Sequence, residues 1–186
     1  PGAGKSSLIN KLVSNFRDRD KTVAIICIDP TSPFSGGAIL GDRIRMLEHF
    51  SDPGVYVRSM ASRNASGGLS LASSEAADVL DSFGFDYIIF ETLGVGQVEI
   101  DVMNEADTVA VVLVPESGDD IQMMKSGLIE IADLYIINKS DRQGADRLEV
   151  ALKNMLETNP SYKSDKWSIP VLKTNSINGD GIEYLS

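Results

Sequence analysis

The 186-residue sequence holds one cysteine, one tryptophan and one histidine. A single cysteine excludes an intrachain disulfide framework, and Cys27 lies inside the apolar run VAIICI, where core packing is its expected role. A reducing, cytoplasmic setting is the natural expectation. No stretch reaches the roughly 20 apolar residues that a membrane span needs, and no charged-then-apolar leader opens the chain, so no membrane association is expected. Basic residues are also scarce. Seventeen of them face 27 acidic ones, the net charge is -10 and no Lys/Arg run appears, which argues against nucleic acid as a partner. An anionic ligand would have to be held by backbone N–H groups, a metal ion and a few local cations against an unfavourable overall field. A small, metal-chelated anion fits that constraint. His49 and Trp167 receive no functional assignment, since a single His after a helical Leu-Glu pair and a Trp near a strand start are more often packing residues.

What remains is an ordinary globular composition, 42% hydrophobic and 24% charged, at a length that suits one domain over residues 1–186. Short apolar, β-rich runs recur at 22–29, 55–60, 85–91, 108–115, 133–139 and 167–174. Most are continuous rather than alternating, as strands covered on both faces should be. Helical patterns lie between them, at Ser6 to Phe16, Gly41 to Phe50, Ser70 to Ser82, Asp120 to Ala132 and Ala145 to Leu156. Alternating strand and helix predicts an α/β fold with a mostly parallel sheet flanked by helices in three layers. Ligands in such folds sit outside the carboxyl ends of the strands, and the segments after these runs, IDPTSPFSGG, ETLGVGQ, PESGDD, NKSD and TNSINGDG, are rich in Gly, Asp and Asn.

The opening PGAGKSS lacks the first glycine of a complete G-x-x-x-x-G-K-[ST] loop, so the chain starts inside that pattern. Gly2, Ala3 and Gly4 would let backbone approach an anion, Lys5 would reach the β/γ-phosphates, Ser6 would hold Mg²⁺ and Ser7 would follow at the start of a helix. The dull alternative is a glycine-rich helix cap. In NKSD, Asp141 can accept from both N1–H and the exocyclic amine of guanine, while Asn138 and Lys139 would brace the loop; the alternative is a helix-start cap. Ser176 of TNSINGDG could bring a backbone N–H to the guanine carbonyl, although the segment reads equally well as a turn. Asp29, Asp42 and Glu91 are candidate metal-shell carboxylates at or near strand ends, Gly94 a candidate γ-phosphate contact, and Gln97 either an orienter of water or a plain loop hydrogen-bonder. No arginine finger is evident, although Arg43 and Arg45 lie in a segment that could move.

Taken in order, PGAGKSS, IDPTSPFSGGAILGDRIRM, SGGLS, ETLGVGQVE, SGDDIQMMKSG and NKSD resemble the MeaB/ArgK family of GTPases, associated with methylmalonyl-CoA mutase, along the whole chain. Similar proteins have also been described as LAO/AO transport system ATPases. The resemblance implies a P-loop G domain that binds GTP or GDP with Mg²⁺, hydrolyses GTP slowly, forms a homodimer, and supports an adenosylcobalamin-dependent acyl-CoA mutase in cofactor loading and protection. It places the phosphate loop on Gly2, Gly4, Lys5, Ser6 and Ser7, metal-shell acids on Asp29, Asp42 and Glu91, and base recognition on Asn138, Lys139 and Asp141. Lys5, Glu91 and Gln97 are the candidate catalytic residues, and no general base is evident. A switch that conveys nucleotide state to the mutase matches GDDIQMMK, with Asp119, Gln122 and Lys125. The chain departs from the family pattern at Leu93, Val98 and Asn64. Relative to the family it is truncated at both ends, without the helices before the phosphate loop or the dimerisation arm after the G domain. An ATP-using kinase or transport ATPase on the same fold and a non-catalytic nucleotide sensor stand as alternatives.

Overall fold

A computed structural model describes residues 2–29, 46, 48–61, 71–92, 105–115, 131–158 and 167–186. Its contacts divide the chain into two compact units, one built mainly from residues 5–106 and one from Gly2–Gly4 with Asp107–Leu185.

The first unit contains α1 (Lys5–Arg17), β1 (Val23–Asp29), β2 (Val55–Ala61), α2 (Leu71–Phe83) and β3 (Tyr87–Thr92). The sheet order is β2-β1-β3 and both pairings are parallel. β1 is central, and Val23 through Ile28 are all buried, which explains why that strand reads as an unbroken apolar run. Its residues alternate between two cores. Val23, Ile25 and Cys27 pack with Val13 and Phe16 of α1, while Ala24, Ile26 and Ile28 pack with Ala76, Ala77 and Leu80 of α2. One helix on each face of the sheet gives this unit three layers. Truncating Ile25 or Ile26, both fully buried, to Ala would cost about 2–5 kcal/mol.

At the amino edge of this sheet, Asp86 accepts from the Thr22 backbone N–H at 2.8 Å and from Lys21 Nζ at 3.0 Å. These donors, the Thr22 amide foremost, hold its carboxyl at about 2. The carboxyl ends of the strands line up at the other edge, where Cys27 lies opposite Glu91 and Asp29 opposite Ala61.

The second unit contains β4 (Ala110–Leu113), β5 (Leu134–Ile137), α3 (Ala145–Thr158), β6 (Val171–Lys173) and a closing 3-10 helix (Ile182–Leu185). Its order is β4-β5-β6, again all parallel. α3 carries Ala145, Leu148 and Leu152 on one stripe, and these pack on Leu113, Tyr135 and Ile137. The half-exposed Trp167 donates its indole N–H to the Asp133 carbonyl at 3.0 Å.

The parallel α/β expectation holds. Local boundaries moved where backbone chemistry intervened. The last run shrinks to Val171–Lys173 because Pro170 has no N–H to donate to a ladder, although its carbonyl accepts from Tyr135 N at 2.9 Å. Of the helix expected over Asp120 to Ala132 only the last two residues are described, with a turn at Ile131, and Asp133 N already bonds Val109 O at 2.9 Å; the rest lies outside the described residues. The described part of the helix expected over 41–50 is 3-10 at Met46, Glu48 and His49 rather than α. His49, as anticipated, is buried and packs on α1, its Nε2 lying 3.2 Å from the Asn10 carbonyl.

Candidate functional site

The carboxyl edge of the second unit gathers most of the residues picked out for base recognition. The chain leaves β5 at Asn138, whose side chain is fully buried. Its Nδ2 donates to the Ala3 carbonyl at 2.9 Å and to Ser176 Oγ at 3.2 Å. Its Oδ1 accepts from Ser176 N at 3.2 Å and from Thr174 Oγ1 at 3.3 Å. An amide is the side chain that can do this, because it offers two donors and an acceptor on one planar group. Lys139 follows with a left-handed backbone, φ 57°, and its Nζ donates to the Gly2 carbonyl at 2.8 Å. The glycine segment and the NKSD loop are thus tied together through two direct side-chain hydrogen bonds from two adjacent residues.

Gly4 shows why that position carries no side chain. Its φ is 79°, and a Cβ there would stand 2.6 Å from Asn138 Nδ2. A larger residue would both strain the backbone and push the amide out of its network.

Asp141 is exposed at the rim of the same loop, and its Oδ1 accepts from Asn175 Nδ2 at 3.0 Å. Asn175 is itself buried and fixed on its other side, since its Oδ1 accepts from Ile177 N at 3.0 Å. The carboxylate that would read the base is therefore aimed by a second amide. Neither Asn175 nor Thr174 was singled out in the sequence. The signal that could have found them is their place in TNS directly after a strand, a stretch that also passes for a turn.

The first unit gathers a second group at its carboxyl edge. Ser6, in the first turn of α1, donates its hydroxyl to Glu91 Oε1 at 2.5 Å, and both residues are buried. Cys27 Sγ lies 3.9 Å from the other carboxylate oxygen, Oε2. The amino end of α1 adds the positive end of a helix dipole to the same place. Lys5 opens α1 and Ser7, the third residue of the helix, is exposed. Asp29 ends β1. Asp42, Gly94 and Gln97 lie outside the described residues, as do Asp119, Gln122 and Lys125 of the expected switch, Arg43 and Arg45, and the departures Leu93, Val98 and Asn64.

Parallel strands flanked by helices, a glycine segment feeding a helix amino terminus and an Asn-Lys-x-Asp loop at a strand end together define a P-loop nucleotide-binding protein. The family follows from comparison. The chain belongs to the family described as methylmalonyl Co-A mutase-associated GTPase MeaB, whose model matches residues 1–186. A protein of Pyrococcus horikoshii, named provisionally as a GTPase, is 49% identical over 187 residues, covering 100% of this chain and 59% of that protein. The mitochondrial methylmalonic aciduria type A homolog of Mus musculus is 34% identical over 188 residues, covering 100% of this chain and 45% of its own length. The crystal structure of an LAO/AO transport system kinase superposes with a TM-score of 0.75 at 26% identity, covering 100% of this chain and 53% of that one. The chain thus spans about half the length of these proteins. Among the described residues, no helix is long and apolar enough to cross a membrane.

Proposed function

We propose that the chain is one G domain that binds GTP and GDP with Mg²⁺, hydrolyses GTP slowly, and works as the nucleotide-sensing part of a chaperone for an adenosylcobalamin-dependent acyl-CoA mutase. The observation that carries the nucleotide reading is the bonding of Asn138 and Lys139 to Ala3 and Gly2, with Asp141 held by Asn175. Residues that grip phosphates and residues that select a purine have to be locked to one another if one nucleotide is to satisfy both. The mutase reading rests on the family's description and on the methylmalonic aciduria name of the mouse relative. Homodimerisation is proposed from the family resemblance alone. A cytoplasmic setting rests on the single buried thiol, whereas the mouse relative's name places that protein in the mitochondrion.

The Ser6–Glu91 pair fits magnesium. Two buried oxygen groups meet at a helix amino terminus, and Mg²⁺ is usually held by one or two protein oxygens, its remaining positions filled by phosphate and water. Ser6 would ligate the ion and Glu91 would orient a water on it, with Asp29 and Asp42 as further candidates for that outer shell. Bound there, the ion neutralises charge on the β- and γ-phosphates. Lys5 supplies a point charge to the same oxygens, and Gly94 an amide. Gln97 is the candidate for orienting the attacking water. Ser176, whose N–H bonds Asn138, lies in the loop that would approach the guanine carbonyl.

The test is a competition titration of the purified protein with GTP, GDP, ATP and XTP, with and without Mg²⁺. GTP should win over ATP, and Asp141→Asn should weaken GTP by about a hundredfold while improving XTP, because the guanine exocyclic amine loses a charged acceptor. A wild-type preference for ATP refutes the guanine assignment and favours the kinase or transport ATPase. Steady-state turnover should stay below about one per second without a partner. Binding of GTP with no phosphate release even when a mutase is present would make the protein a sensor rather than an enzyme.

A further inference from the structure

The loop after β6 spends most of its backbone donors on itself. Asn175 N donates to the Asp180 carbonyl at 3.0 Å, Ile177 N to Asn175 Oδ1 at 3.0 Å and Gly179 N to the Asn175 carbonyl at 2.8 Å. Ser176 N is taken as well, by Asn138 Oδ1 at 3.2 Å. The amide group of Asn138 is equally committed, since its Nδ2 donates to Ala3 O and to Ser176 Oγ. The Ser176 side chain is different. Its Oγ accepts that Asn138 bond at 3.2 Å, the residue is 6% exposed, and among the described residues no acceptor takes the hydroxyl hydrogen. A hydroxyl carries one donor and two acceptor sites, so accepting from an amide leaves its donor still to be placed.

We infer that the Ser176 hydroxyl, rather than the Ser176 backbone N–H, is the donor that reads the guanine carbonyl, an inference that rests on the guanine reading proposed above. Guanine carries its amine and its carbonyl on the two carbons that flank N1, so a carboxylate that takes N1–H and the amine leaves the carbonyl in need of a donor beside it. Asp141 is held by Asn175, the residue directly before Ser176, so carboxylate and hydroxyl are anchored at adjacent positions of one loop. The amide bond into Oγ strengthens the hydroxyl as a donor, because hydrogen bonds in a chain polarise one another. A Cβ on Gly4 would stand 3.6 Å from Oγ, and the glycine keeps that space beside the hydroxyl clear. The second lone pair of Oγ can accept from the amine that adenine carries in place of the carbonyl. Rejection of ATP therefore stays with Asp141, and the hydroxyl adds affinity for the 6-oxo group.

The test pairs Ser176→Ala with a change in the nucleotide. Alanine keeps the backbone N–H and removes only the hydroxyl, while 6-thio-GTP keeps purine, ribose and triphosphate and replaces the carbonyl by a thiocarbonyl, whose sulfur is a weak acceptor. Affinities are read by competition against a fluorescent GDP analogue in excess Mg²⁺. Wild type should bind GTP about tenfold more tightly than 6-thio-GTP. Ser176→Ala should lose about tenfold for GTP and less than about threefold for 6-thio-GTP, so that the preference shrinks to within about threefold. ITP, which has the carbonyl but no exocyclic amine, should lose the same factor of about ten as GTP, because the amine read by Asp141 plays no part in the contact. The ratio of GTP to 6-thio-GTP cancels any general loosening of the loop, and urea unfolding of the nucleotide-free variant checks that it is folded.

A Ser176→Ala protein that keeps the wild-type preference for GTP over 6-thio-GTP overturns the inference, whether both affinities hold or both fall together, and returns the carbonyl to the backbone N–H that the substitution leaves in place. A wild-type protein that binds the two nucleotides equally well overturns it too. Either result leaves the guanine reading standing as long as GTP outcompetes ATP. A wild-type preference for ATP removes that reading, and the role of the hydroxyl falls with it.

Discussion

Removing the Asn138 amide should do more damage than its size suggests. The side chain makes four hydrogen bonds, two as donor to Ala3 O and Ser176 Oγ and two as acceptor from Ser176 N and Thr174 Oγ1. In Asn138→Ala, Ser176 N and the Thr174 hydroxyl lose their acceptor, and both residues are buried, so water does not easily replace it. A buried polar group left unsatisfied costs about 1–3 kcal/mol. The Thr174 hydroxyl can rotate to another acceptor and Ala3 is partly exposed, so the lower part of that range applies to them. The sum is about 2–4 kcal/mol. Urea unfolding of the nucleotide-free protein measures it directly, provided the slope is unchanged. Nucleotide dissociation, followed by stopped flow with a fluorescent GDP analogue, should accelerate as well, because the glycine segment loses its tie to the NKSD loop. The contrast with Asn138→Asp is sharper still. Asp keeps the shape and the acceptor but sets a carboxylate oxygen against the Ala3 carbonyl in place of a donor, so it should be no better than Ala. A loss of stability under about 0.5 kcal/mol, or an Asp variant as stable as wild type, would refute the reasoning.

Other outcomes follow from separate features. Gly4→Ala should lower stability by about 1–3 kcal/mol in denaturant titrations and weaken GTP in the same competition assay, because φ is 79° and the added Cβ meets Asn138 Nδ2. Ser6→Ala should abolish most of the Mg²⁺ dependence of GTP binding while leaving Mg²⁺-free binding nearly intact, as read by titration calorimetry. Asp86 has a folded-state carboxyl at about 2, below its unfolded value near 4, so its contribution is fully present above about pH 4 and is lost as pH falls through 2. The difference in melting temperature between wild type and Asp86→Asn should therefore be flat from neutral pH down to about 4 and close towards pH 2.

Legibility in the sequence tracked how many constraints acted on a residue at once. β1 was plain because both of its faces are covered, so every position from Val23 to Ile28 had to be apolar. Asn138 and Asp141 were visible because a polar motif directly after a buried strand has little structural reason to exist unless it is used. Asn175 and Thr174 were hidden for the opposite reason. Their work is to hold other side chains, and Asn and Thr are what a turn would use anyway. The Cys27–Glu91 contact was out of reach too, since it depends on a strand register that pairs residues 64 apart in sequence. The over-long strand assignment at 167–174 came from apolar pattern alone, without weight for the missing N–H of Pro170.

Trp167, the sole indole, hydrogen-bonded to the Asp133 carbonyl, gives the molecule a built-in reporter on one of its two compact halves. Emission excited at the red edge of indole absorption follows the half that carries the NKSD loop, whereas far-ultraviolet dichroism averages over both. Coincident melting curves from the two signals would mean that the halves lose structure in one cooperative step. Staggered curves would mean that no single midpoint describes this protein, and that stability changes in either half have to be referred to its own transition.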